Sequence, residues 1–366
     1  DCPQRDERYG WTGDTQVFCG AASYIADTYN FLSKYLGDMR DSQIGRDGAY
    51  ADICPAVFEK NFCGSTAWSD AGIIIPYKLW LMYGDDTVVR DNYDSMEAYM
   101  SYIDRNFGLD GAKAWYGDWL SYEPTDKRYI SICYHYNNAV IMQKFSKILD
   151  KKDREEYYSD LSKKILDYYF ERYVKDGEII ENSQTAYLLP LYFDMFDGEM
   201  REKTIKKLEQ KIIDNNYTLS TGFVGTGVLN QTLAKVGLND LAYTLLLQDA
   251  DPSWLYSVKQ GATTIWERWN SYTKANGFGD VKMNSFNHYA YGAVADWLYG
   301  VAAGIKIDES KPGFEHIILA PITDGRLTSL APYDGEIPAA TLPEYENLPW
   351  QPGRQYLAKP SAAAEL

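Results

Sequence analysis

From Thr15 to about residue 305 the apolar residues recur every three or four positions, the spacing that gathers them on one face of an α-helix. The period breaks where Gly, Asp and Asn cluster, as in Tyr83-Gly84-Asp85-Asp86 and Asp214-Asn215-Asn216. Cut at such points, the pattern predicts about ten helices. They are expected near Thr15–Asp38, Thr66–Tyr83, Thr87–Phe107, Ile130–Ile148, Arg154–Phe170, Ser183–Phe193, Glu199–Asn215, Gly225–Val236, Asn239–Leu247 and Phe286–Gly304. Paired helices with no strands alternating between them predict an all-α architecture, either an α/α barrel or an α-solenoid. No sequence repeat of fixed length is visible, which argues against the solenoid.

After Gly304 the pattern changes. Gly313–Pro321 reads as a short strand and Leu327–Tyr333 as a second, so residues 306–337 are expected to begin a β domain behind an α domain at 1–305. From Pro338 the chain turns to Pro, Ala and Glu, and residues 338–366 are expected to be an irregular, non-native tail.

Charge narrows the partners. Lys plus Arg total 36 and Asp plus Glu total 52, a net charge of −16. Such a surface repels phosphate backbones and anionic lipid, so neither nucleic acid nor a membrane is expected as partner. No apolar run reaches transmembrane length. No signal peptide is visible, but the chain is expected to open mid-structure, so the compartment is left open, with the cytoplasm favoured. The five cysteines show no zinc spacing and are expected as free thiols. Only three histidines exist, too few to supply a His-based metal site or a Ser-His-Asp triad readily, and no metal or cofactor is expected. Aromatic residues make up 15%, which fits either a Tyr-rich core or a cleft lined with flat rings, and composition does not choose.

Two stretches carry chemistry. The first, DCPQRDERYGWTGD, sets Glu7 among Asp1, Asp6 and Asp14, with Trp11 four residues on. Crowding by carboxylates and an apolar wall both raise a carboxyl pKa, which suits a general acid. The arginines Arg5 and Arg8 would keep neighbouring aspartates ionised and reach sugar hydroxyls. A salt-bridged loop capping the helix at Thr15 explains the same residues. The second, GATTIWERWNS, frames Glu267 and Arg268 between Trp266 and Trp269. Indoles offer a face to sugar C–H groups and an N–H to oxygen, though a helix-start ion pair over core tryptophans reads equally well. His288, in NSFNHY, is either a substrate contact or a polar residue at a helix start. Trp68 and Asp70 in TAWSDAG, and Trp115, Asp118 and Trp119 in AWYGDWLSYE, repeat the pairing of indole and carboxylate, and the loops at one end of an α/α barrel would bring all these stations together.

In these segments the chain resembles the α-L-rhamnosidases of glycoside hydrolase family 78. The resemblance rests on Asp1-Cys2-Pro3-Gln4-Arg5-Asp6-Glu7-Arg8 with Gly10-Trp11 and Gly13-Asp14, then Trp68-Ser69-Asp70-Ala71, Gly117-Asp118-Trp119-Leu120, Thr264-Ile265-Trp266-Glu267 and Phe286-Asn287-His288-Tyr289, in the family's order. It runs from residue 1 to about 333 and implies an (α/α)6 barrel, with its first helices expected outside the chain as given. It also implies inverting hydrolysis of terminal α-L-rhamnose, with Glu7 as general acid and Glu267 as general base. Asp1, Arg5 and Asp14 match residues that hold the rhamnose hydroxyls. Trp11, Trp68, Trp119 and His288 match the pocket walls, with Trp266 counted beside them. Inversion implies carboxyl groups roughly 6.5–9.5 Å apart, with a water between. The alternatives are a fragment that binds rhamnose without turning it over, and an exo-glycosidase of other sugar specificity on the same barrel. A shortened barrel would expose apolar surface, so self-association is expected.

Overall fold

The computed structural model describes residues 8–58, 62–280, 283 and 285–327. Two kinds of helix alternate along it. α3 (Ala71–Tyr83) is apolar almost all round and buried from Ala71 to Met82. α4 (Thr87–Phe107) buries one stripe, Val88, Val89, Asn92, Tyr93, Met96, Tyr99, Met100 and Ile103. The same alternation holds for α5 (Lys127–Ile148) and α6 (Lys152–Tyr173), then for α7 (Gln184–Tyr192) and α8 (Gly198–Asp214). α8 buries only Thr204, Leu208 and Ile212, spaced by four. A helix buried on every side belongs to an inner layer, and one with a single apolar stripe to an outer layer.

The inner layer is a closed ring of six segments among the described residues. It runs through α1 (Thr12–Ile25), α3, α5, α7, the short pair α9 (Phe223–Thr226) and α10 (Leu229–Lys235), and a final helical segment over 290–302. That last segment is 3-10 at Ala290–Ala293, α-helical at Val294–Trp297 (α13) and π at Leu298–Ala302. It packs back on α1: Tyr24 stacks on Tyr299 with ring centroids 5.3 Å apart, and Gly20 faces the Asp296 carboxylate. α2 (Tyr29–Ser42), α4, α6, α8 and α11 (Asn239–Leu247) form the outer layer, and α12 (Trp254–Gln260) follows α11. Three antiparallel two-stranded pairs complete the described elements: β1–β2 (Val174–Lys175, Glu178–Ile179), β3–β4 (Tyr272–Thr273, Gly277–Phe278) and β5–β6 (Ile305–Ile307, Ile317–Leu319). No helix among the described residues is long and apolar enough to cross a membrane.

This is the (α/α)6 barrel, and two helix boundaries differ instructively from the periodicity. The single helix expected over Thr15–Asp38 is two, α1 and α2, parted at Ala26-Asp27-Thr28. Thr28 N donates to the Tyr83 hydroxyl at 2.8 Å, and the Tyr29 hydroxyl donates to Asp85 at 2.7 Å. The turn is therefore pinned by partners 55 and 56 residues away, which local spacing does not report. The last helix begins at Ala290, not Phe286, because residues 285–288 pair with a loop. The strand expected at Gly313–Pro321 is the shorter β6. Of Leu327–Tyr333 only Leu327 is described, outside any strand, and the tail at 338–366 lies outside the described residues.

Candidate active site

Each hairpin brings the amino end of its inner helix to the same rim. Two of those ends are capped by side chains: Asp126 accepts from Tyr129 N ahead of α5, and Ser183 from Ala186 N ahead of α7. The loops that enter the inner helices at this rim carry Trp11, Asp14, Trp68, Trp119, Glu267 and His288.

The loop holding Glu267 is tied to the approach of the last inner segment. Glu267 N donates to Ser285 O at 2.9 Å, and His288 N donates to Ile265 O at 2.8 Å. Ser285 N in turn donates to Glu267 Oε2 at 3.1 Å, so the carboxylate is oriented by backbone and is 0% exposed. His288 Nε2 reaches Asp14 Oδ1 at 2.5 Å, with both residues 3% exposed. The imidazole also packs on Phe223, centroids 5.3 Å apart. Asp14, on the first turn of α1, thereby meets the loop pair that bears Glu267.

Aromatic rings gather on the neighbouring segments. Gly13 lies flat on the Trp68 indole, where an added Cβ would stand 2.6 Å from the ring. Trp68 packs on Tyr116 at 4.5 Å, and Tyr116 also meets Trp11 at 5.5 Å and Trp119 at 6.3 Å. Ala67, beside Trp68, and Leu120, beside Trp119, both hold positive φ, +65° and +61°. Non-glycine residues in that region store strain, and here it flanks both indoles.

The remaining motif residues sit differently. Trp266 is buried against Phe286 and Tyr272, with centroids at 5.2 and 6.5 Å, in the cluster around β3–β4. Trp269 stacks on Tyr291 at 4.0 Å on the other side of Glu267. Asp70 accepts from Ala67 N, Tyr99 and Asn138, and Asp118 accepts from Thr185, Gly222 N, Val224 N and Gly225 N. Burial raises both carboxyl groups and these hydrogen bonds oppose it; Asp70 ties its turn to α4 and α5, and Asp118 ties its loop to α7 and the start of α9. Trp115 is exposed beneath Lys113, away from the other indoles. Glu7, Asp1 and Arg5 lie outside the described residues. Sequence reasoning passed over Tyr116, the ring that touches three of the tryptophans, although its place one residue before Gly117-Asp118-Trp119 was a usable signal. A cavity of about 400 Å3 opens between Tyr77, Lys78, Lys144, Tyr192, Lys235 and Asp296, and holds none of the resemblance's site residues.

A helical ring with a buried carboxylate and a wall of indoles at one rim is the six-hairpin architecture of carbohydrate-active barrels. The family model for the bacterial alpha-L-rhamnosidase six-hairpin glycosidase domain matches residues 1–302, and the chain belongs to that family. Alpha-L-rhamnosidases of Formosa agariphila and Streptomyces avermitilis are each 38% identical to it, over 342 and 332 residues and 90% of the chain. Those spans are 36% and 32% of the two relatives, so the chain matches about a third of their length. The crystal structure of the Streptomyces avermitilis enzyme complexed with L-rhamnose superposes with a TM-score of 0.84 at 37% identity, covering 90% of this chain and 32% of that one. The alpha-L-rhamnosidase of Aspergillus terreus superposes at 0.79 with 34% identity, covering 84% and 37%.

Proposed function

We propose that the chain hydrolyses terminal α-L-rhamnosides with inversion, using Glu267 as general base and Glu7 as general acid. The observation that carries the reading is the meeting of Asp14 and His288, 274 residues apart, at the loop that holds a fully buried Glu267. Family membership and the relatives' names supply the sugar. In the reaction, Glu267 takes a proton from water as its oxygen attacks the anomeric carbon. Glu7 protonates the departing glycosidic oxygen, and the product leaves as the β-anomer. Asp14, with Asp1 and Arg5, holds rhamnose hydroxyls, while His288, Trp11, Trp68 and Trp119 close round the ring, and Trp266 supports the loop of Glu267 from behind.

The test is release of nitrophenol from p-nitrophenyl α-L-rhamnoside, with the first-formed anomer read by proton NMR. Turnover is expected from the parent, with β-L-rhamnose appearing first. Glu7→Gln and Glu267→Gln are each expected to lose it while still binding L-rhamnose. Retained turnover in either variant removes that residue's role, and α-L-rhamnose appearing first removes inversion.

A further inference from the structure

The rings assigned to the sugar pocket come from three separate segments, and one carboxylate joins all three. Asp52 lies in the loop between α2 and α3 and is 0% exposed. Its backbone carbonyl accepts from Thr12 N and Thr12 Oγ1, both at 2.9 Å, directly after Trp11. The next residue, Ile53, forms a β-bridge with Trp11. Asp52 Oδ1 accepts from Ser65 N at 3.0 Å and Ser69 Oγ at 2.9 Å, on either side of Trp68. Its Oδ2 accepts from the Tyr116 hydroxyl at 3.1 Å. Tyr116 is half-buried and stands edge-on to Trp11 and Trp119 and tilted against Trp68.

A buried carboxylate is a costly way to stabilise a core, since apolar packing does as well without desolvating a charge. Burial pushes the Asp52 carboxyl up to about 6. What the carboxylate supplies instead is direction. Its Oδ2 fixes where the Tyr116 hydroxyl stands while Oδ1 holds the Ser65–Ser69 loop that carries Trp68, and the Tyr116 ring lies against three indoles.

We propose that Asp52 and Tyr116 are positioning residues of the sugar pocket: Asp52 orients Tyr116, and Tyr116 holds Trp11, Trp68 and Trp119 at the separation that grips a pyranose ring. The proposal rests on reading this rim as a rhamnoside site. The pair acts on binding of the sugar, because its partners among the described residues belong to the aromatic wall and the loops that carry it.

The test compares the parent with Tyr116→Phe, Asp52→Asn and Asp52→Ala. KM and kcat are measured on p-nitrophenyl α-L-rhamnoside, Kd for L-rhamnose by calorimetry, and fold by circular dichroism. Tyr116→Phe keeps the ring and loses only the tether. Its KM and Kd are expected to rise about tenfold, the size of one hydrogen bond, with kcat within about twofold of the parent. Asp52→Asn keeps an acceptor oxygen and is expected to recover most of the affinity that Asp52→Ala loses. A fall in kcat at unchanged KM, or no change in Tyr116→Phe, overturns the proposal. If the parent neither binds L-rhamnose nor turns the substrate over, the functional reading fails, and the pair is judged without ligand. In protein labelled with 5-fluorotryptophan, the resonances of Trp11, Trp68 and Trp119 are expected to shift in Tyr116→Phe while those of Trp266 and Trp269 stay. Unmoved resonances overturn the positioning role.

Discussion

His288 and Asp14 meet at 2.5 Å although the first belongs to the approach to the last inner segment and the second to the first turn of α1. Neither is accessible enough for solvent to replace the other as partner. Removing one takes this contact from the other, and a hydrogen bond to a charged group contributes about 1.5–3 kcal/mol. His288→Ala is therefore expected to lower kcat/KM on the aryl rhamnoside by about 10- to 100-fold. Steady-state kinetics on a variant with parental circular dichroism checks this, and an unchanged kcat/KM removes His288 from the site.

Gly13 has no room for a side chain, because an added Cβ would stand 2.6 Å from the Trp68 indole. The indole is itself buried and has little freedom to retreat. Gly13→Ala is expected to cost about 1–3 kcal/mol by overpacking, seen as a lowered urea midpoint. Substrate affinity should fall with it, as Trp68 is pushed off its position on the wall.

Asp118 serves as acceptor for one hydroxyl and three backbone N–H groups. Asparagine at this position offers one oxygen and presents an NH2 group where donors already converge. Asp118→Asn is expected to destabilise the fold by about 2–4 kcal/mol, counting the buried donors left unpaired. Chemical denaturation of the variant gives the value, and a loss below about 0.5 kcal/mol would show that the loops hold without this joint.

His135 is buried in α5, and burial pushes its pKa down from 6.5 to about 4. The folded state holds this ring neutral where the unfolded chain would protonate it. Its contribution is complete above about pH 6.5 and is lost as pH falls from there towards 4. The full span is worth about 3 kcal/mol. Thermal melts between pH 7 and 4 should show a steeper decline for the parent than for His135→Leu, which has no proton to take up. Parallel curves would assign the acid sensitivity to other groups.

Much of this architecture was legible from spacing alone. The periodicity placed α4 at Thr87–Phe107 and α11 at Asn239–Leu247 with the ends they have. Those helices stop at turns written in Gly and Asp, so the signal is local. It failed where the ending is tertiary, as at Thr28, and where a helix is as short as the seven residues of α12. Among the candidate site residues, Glu267, Asp14 and His288 were legible only as members of motifs, since nothing near Asp14 in sequence announces a partner 274 residues on. Asp70 and Asp118 were legible only as carboxylates beside indoles, and their protein donors were not. An aspartate beside an indole looks the same in sequence whether its oxygens face a ligand or four protein donors. Asp52 was invisible, because its importance lies in joining three loops that no linear pattern connects.

The barrel's seam lies between α1 and the segment over 290–302, the first and last members of the inner ring. The Asp14–His288 contact sits on that seam. Entropy makes such a closure the slowest kind of contact to form, since the two ends must find each other across nearly the whole described chain. The pocket can therefore exist only in a chain whose ring has shut. Among the described residues His288 reaches Asp14 only once every intervening inner segment is present, so the proposed site is completed at the seam.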